Sequence, residues 1–106
     1  MKEPGYIRQT ETLSAAGDRI ILCYFLTKQN IAVNGRNETT YGIGIDMYTQ
    51  RPNERTIRER KTVKGVFAKR EEALLFTDVL CKGCVTPTTL KDIIEDKLAQ
   101  GGFHTA

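Results

Sequence analysis

The sequence is poor in several things. It has no tryptophan, one histidine, three prolines and three cysteines in 106 residues. A single histidine, His104, lies near the C-terminus and leaves little for His-based catalysis or metal binding. An odd number of cysteines does not describe a disulfide framework and suits reduced thiols. The longest unbroken apolar run, residues 20–26, is seven residues, whereas a membrane-spanning helix needs about 20. The first residues, MKEPGYIRQTE, contain no apolar stretch of the kind that makes a signal peptide, so the expected compartment is the cytoplasm. Nucleophile elbows, H-E-x-x-H and P-loop patterns are missing, and the sequence suggests no catalytic residue and no cofactor.

What is present is the balance of a soluble domain. Forty per cent of residues are apolar and 27% charged, which argues against a disordered chain. The length suits one domain, residues 1–106. The net charge of +3 is unevenly spread. Residues 1–50 are neutral, residues 51–70 carry eight basic against two acidic side chains, and residues 71–106 are net −3. Such a dipolar chain can attract an anionic partner or pair with itself.

The hydrophobic pattern changes period once. Residues 5–13 alternate loosely as a first strand. Residues 18–28 are apolar on both faces, as in a central strand with something packed on each side. Asn34-Gly35 is a turn signal, and Ile31 and Val33 make its surroundings more than a bare loop. Residues 39–50 set Tyr41, Ile43, Ile45 and Met47 on one face and Gly42, Gly44, Asp46 and Tyr48 on the other. The two glycines suit close approach of another backbone, or a bulge. Residues 56–67 alternate weakly, with interleaved charge that suits an edge strand.

From residue 69 the spacing becomes helical. Residues 69–82 place Ala73, Leu75, Phe76, Val79 and Leu80 at three-to-four intervals, and Gly83 is expected as a left-handed stop. Thr86-Pro87 reads as a cap and first turn for a helix over 87–99, with Leu90, Ile93, Ile94 and Leu98 inward. Residues 100–106 read as a tail. The expected fold is α+β: an antiparallel meander of three to four strands followed by a C-terminal two-helix hairpin packed on one face.

Tyr41-Gly42-Ile43, Val85-Thr86-Pro87, Leu90 and the run Asp92-Ile93-Ile94-Glu95-Asp96 resemble a family of small clostridial proteins of unknown function, over roughly residues 39–98. The resemblance implies a bacterial cytoplasmic protein and supplies no activity and no site residues.

Three constellations are candidates for function. The first is the basic block, with Arg51, Arg55, Arg58, Arg60, Lys61 and Lys64 as an anionic-partner surface. Arg58, Arg60, Thr62 and Lys64 would share one strand face that can track phosphates. Residues 51–66 hold no aromatic platform for bases, which weakens nucleic acid relative to an acidic protein. The second is Cys81-Lys82-Gly83-Cys84, a C-x-x-C that could serve thiol or metal chemistry. A helix C-terminus disfavours thiolate, and buried small hydrophobes are the favoured reading. The third, Asp92, Glu95 and Asp96, shares one helix side and reads as a solvated face. No metal site is assigned.

The leading expectation is a small non-enzymatic protein acting through protein–protein interaction, self-association as a homodimer included. It rests on the two apolar faces of residues 18–28, only one of which the helices can cover. Nucleic-acid binding through residues 51–70 and thiol or metal chemistry at 81–84 are the alternatives.

Overall fold

The computed structural model describes residues 5–99. Four strands, β1 (Arg8–Leu13), β2 (Arg19–Val33), β3 (Arg36–Gln50) and β4 (Ile57–Phe67), precede two helices, α1 (Arg70–Lys82) and α2 (Pro87–Ala99). The sheet order is β1-β2-β3-β4 with every pair antiparallel, the expected meander. Residues 100–106, read as a tail, lie outside the described residues.

The central strands are longer than the sequence pattern suggested. β2 and β3 pair without interruption from Arg19↔Gln50 to Val33↔Arg36. Asn34 and Gly35 both have positive φ, 52° and 77°, which is what a two-residue hairpin turn requires. The strand therefore runs straight through residues 29–33, and only the Asn34-Gly35 pair is turn.

One sheet face carries the main core. Leu22, Tyr24, Ile43, Ile45 and Phe67 pack with Ala73, Phe76 and Leu80 of α1 and with Leu90 and Ile94 of α2. Burial of this kind contributes roughly 1.5–3 kcal/mol for each large side chain. The Tyr24 hydroxyl crosses the core to the carbonyl oxygens of Leu80 and Val85, at 3.3 and 2.9 Å. It ties the central strand to the corner between the helices.

Two local expectations are corrected. Leu75 and Val79 share the three-to-four spacing of the apolar stripe of α1, but they are 69% and 59% exposed. Thr77 takes the inward position instead, its hydroxyl donating to the Ala73 carbonyl at 2.7 Å. The left-handed residue after α1 is also not Gly83, whose φ is −88°. It is Cys84, with φ 50°. Val85 N–H donates to Leu80 O and Cys84 N–H to Cys81 O, the paired bonds of a Schellman motif with Cys84 at C′.

The glycines of β3 do mark a bulge and a close approach. Between Tyr41↔Phe67 and Ile43↔Val63 the β3–β4 register shifts, and Gly65 has φ 70°. A Cβ on Gly42 would stand 2.2 Å from the Val63 carbonyl oxygen, so only glycine lets the bulged strand close over β3.

Candidate functional site

The sheet face turned away from the helices holds the most unusual chemistry in the molecule. Strand alternation puts Arg19, Ile21, Cys23 and Phe25 of β2 there, with Gly44, Asp46 and Tyr48 of β3 and Arg58, Arg60 and Thr62 of β4. Asp46 is opposite Cys23 on one side and Arg60 on the other.

Asp46 is wholly buried. An isolated carboxylate cannot be buried at tolerable cost, so it must be paired and hydrogen-bonded. Arg60 does both, donating through Nε to Oδ1 at 2.6 Å and through Nη2 to Oδ2 at 2.7 Å. Arg58 adds a longer contact to Oδ2 at 3.5 Å. The Tyr6 hydroxyl donates to the same oxygen at 2.6 Å. With that proton committed, the Tyr48 hydroxyl is the donor in the 3.0 Å Tyr6–Tyr48 contact.

Burial by itself raises the Asp46 carboxyl, but the bonds from Arg60 and Tyr6 and the charges of Arg60 and Arg58 outweigh it. The group is held below its ordinary value and stays ionised. Burial, followed by the bonds to Asp46 and Tyr48, pushes the Tyr6 phenol well above its ordinary range, which keeps it a donor.

The apolar part of the face is closed by the same residues. The Arg60 guanidinium lies 5.0 Å from the centroid of the Phe25 ring, within cation–π range. Tyr6 packs on Phe25 with ring centroids 6.2 Å apart. Beneath them the Phe25 ring fills the place of a side chain at Gly44, where a Cβ would sit 2.1 Å from its Cζ. Cys23 and Phe25 are both buried. At Phe25 the second apolar face of β2, read from sequence as a surface for a layer or a second subunit, is thus covered by this chain's own Tyr6 and Arg60.

The six residues of the basic block are dispersed. Arg51 pairs with Asp18 at 3.1 Å. Arg55 is exposed in the β3–β4 connection. Arg58 and Arg60 reach Asp46. Lys61 stands opposite Ile45 and so points to the helix side of β4, and Lys64 lies in the bulge. Among the acidic residues of α2, Asp92 and Asp96 line a shallow groove with Cys84, Thr86 and Lys97, and Glu95 pairs with Lys91.

The C-x-x-C spacing is that of the Schellman turn, in which the Cys81 carbonyl accepts the Cys84 N–H. Burial, then the neighbouring Cys84, raises the Cys81 thiol, so its thiolate is disfavoured. Among the described residues no group of three or more His, Cys, Asp or Glu is placed to hold a metal ion. Among the same residues no helix is long and apolar enough to cross a membrane.

Comparison with known proteins bears on the whole of this fold. A family model matches residues 5–100, which takes in Tyr6, all four strands and both helices. The chain belongs to DUF6514, a family of unknown function. The match reaches well beyond residues 39–98, where the sequence motifs suggested a relationship, and includes the strands before residue 39. No curated protein and no solved structure matches the chain.

Sequence reasoning missed Asp46 and Tyr6. A signal for Asp46 was present: a carboxylate shares a strand face with Gly42 and Gly44, beside a neighbour strand apolar on both faces. Such a carboxylate must find a cation, and the following strand offers Arg58 and Arg60. Tyr6 carried no comparable signal, because its place depends on a bend at residue 7 that leads onto the open face.

Proposed function

We propose that this protein is a non-enzymatic binding protein of the bacterial cytoplasm, acting through protein–protein contact. One observation carries the reading. The β2–β3 hairpin extends past both of its neighbours, since β1 pairs with β2 only as far as Tyr24 and β4 with β3 only as far as Tyr41. Residues 27–40 therefore form a two-stranded ribbon whose edges have no partner among the described residues. Unpaired edges are templates for another strand, and main-chain ladders of this kind are a common mode of recognition between proteins. The resemblance of residues 39–98 to small clostridial proteins supports the compartment.

The ribbon can be tested without touching the core. Deleting residues 29–32 together with 37–40 removes four residues from each strand, keeps the pleat parity and leaves the Asn34-Gly35 turn in place. The shortened chain should retain its fold and lose the proteins that the full chain captures from a lysate of its own cell. Capture of the same set by both chains would sink the reading.

A second reading, nucleic-acid binding through residues 51–70, draws on Arg58 standing opposite Tyr48 on the open face, an aromatic neighbour that residues 51–66 lack. It requires a steep loss of affinity between about 50 and 200 mM salt in fluorescence anisotropy, and weakening by Arg55→Glu. The ribbon argues for protein rather than nucleic acid, since Lys28 and Arg36 are set against Glu38 and give residues 27–40 little net charge.

A further inference from the structure

We propose that the partner of the ribbon is a second copy of this chain, joined through the outer edge of β2 in an antiparallel pair centred on Asn30. The inference rests on the binding reading above and names its occupant.

The ladder decides which edge is available. Flanking a two-residue turn, Val33 and Arg36 form the hydrogen-bonded pair, so the odd residues of the β2 arm turn their backbone groups toward β3. Lys28, Asn30 and Ala32 then turn theirs outward. The same parity holds lower on the strand, where the Tyr24 carbonyl accepts from Ile7 N–H on the β1 side. Beyond that bond no described residue pairs with the outer edge of β2, and the strand continues to Val33.

This edge lacks the usual protections. Residues 26–33 contain one charged side chain, Lys28, and no proline, and the β2–β3 register is unbroken there. The edge is also self-complementary. Pairing about Asn30 sets Asn30 against Asn30, Gln29 against Ile31, Lys28 against Ala32 and Thr27 against Val33. No like charges face each other. Ile31 of one copy becomes the diagonal neighbour of Ile31 of the other, within reach of long side chains, and Val33, 38% exposed in the single chain, joins the same face. The outer edge of β3 is a poorer candidate. It is free only over residues 36–40, and full overlap there would set Glu38 against its own copy.

The register also finds room for the tip. With Val33 opposite Thr27, the second copy's Asn34-Gly35 turn arrives beside Leu26, where β1 has ended. A cavity of 280 Å³ lies there, lined by Gly5, Ile7, Leu26, Lys28, Tyr41 and Arg70. The product is a two-fold dimer with one continuous eight-stranded sheet, each copy offering the same edge.

The test is the mass of the full chain in solution, measured by light scattering over about a tenfold range of concentration, because dimer follows mass action. The expected mass at the upper end is twice 11.9 kDa. Ala32→Pro removes an outward N–H and leaves the inner ladder intact, so it should halve the mass while preserving the circular dichroism spectrum. If that variant fails to fold, cysteine placement answers instead. Asn30→Cys should oxidise to a covalent dimer, the Cα separation of a hydrogen-bonded pair being about 5.5 Å, and Asn37→Cys on the β3 edge should not. A full chain that stays at 11.9 kDa throughout, or a covalent dimer formed by Asn37→Cys and not by Asn30→Cys, overturns the proposal. A monomer that still captures another protein through its ribbon overturns the second copy and leaves the binding reading standing. A dimer that survives shortening of the ribbon overturns the pairing through β2, and the binding reading is then decided by the capture comparison alone.

Discussion

Asp46 is where a single residue bears most on the fold. Two arginines and a tyrosine converge on a carboxylate that is shut off from water, and removing the charge would strand Arg60 over Phe25. We expect Asp46→Asn to cost about 3 kcal/mol, the range for breaking one partner of a buried pair, read as a lowered urea midpoint. The sign of the pH dependence follows from the direction of the shift. The folded carboxyl is held below its ordinary value. Its contribution is therefore complete above the unfolded value of about 3.9 and is lost as pH falls through the folded one. Wild-type stability should drop as pH falls below about 4, and the part due to this group should vanish in Asp46→Asn. Cys84 gives a second test. A side chain at positive φ carries roughly 1 kcal/mol of strain, which glycine avoids. Cys84→Gly should therefore be more stable than Cys84→Ala by about that amount, since both lose the thiol and only alanine keeps the Cβ.

Among the elements, β3 has the strictest steric demands. It is the one strand flanked by a bulge on β4 and by a ring from β2. At Gly42 an added methyl meets the backbone of Val63, which cannot move without opening the β3–β4 ladder. At Gly44 it meets the Phe25 ring, a side chain. We expect Gly42→Ala to lower the thermal midpoint more than Gly44→Ala, and Gly44→Ala to expose Phe25 and raise binding of an apolar dye. The elements were legible in the sequence to different degrees. The switch from two-residue to three-to-four-residue period at residue 69 located α1, because burial imposes those periods directly. The inward face of α1 was misread at Leu75 and Val79, because composition cannot tell which of two overlapping apolar stripes meets the sheet. Thr77 was passed over since a hydroxyl looks polar in sequence; inside the helix its proton reaches Ala73 O, which removes the penalty.

The whole molecule divides into a packed body and a projecting ribbon. The core residues all lie outside residues 27–40, with the partly buried Tyr41 at the ribbon's base, so the ribbon contributes little to the stability of the body. Removal of 29–32 with 37–40 should therefore leave the thermal midpoint of the body within a few degrees, about the shift that 1 kcal/mol produces in a domain of this size. The sequence by itself determined the α+β class, a meander of three to four strands, the succession of strands before helices and the Asn34-Gly35 turn. Those follow from local rules, namely side-chain period, turn chemistry and the preference for short antiparallel connections. Only the tertiary structure decided what the second face of β2 meets. Whether Phe25 is covered by a subunit or by Tyr6 and Arg60 depends on residues 19 and 35 positions away in the chain, brought together by register and by a bend at residue 7. The fate of the basic block was decided in the same way. Eight cations in sequence look like one surface, but strand alternation sends neighbours to opposite faces, and buried Asp46 draws two of them inward.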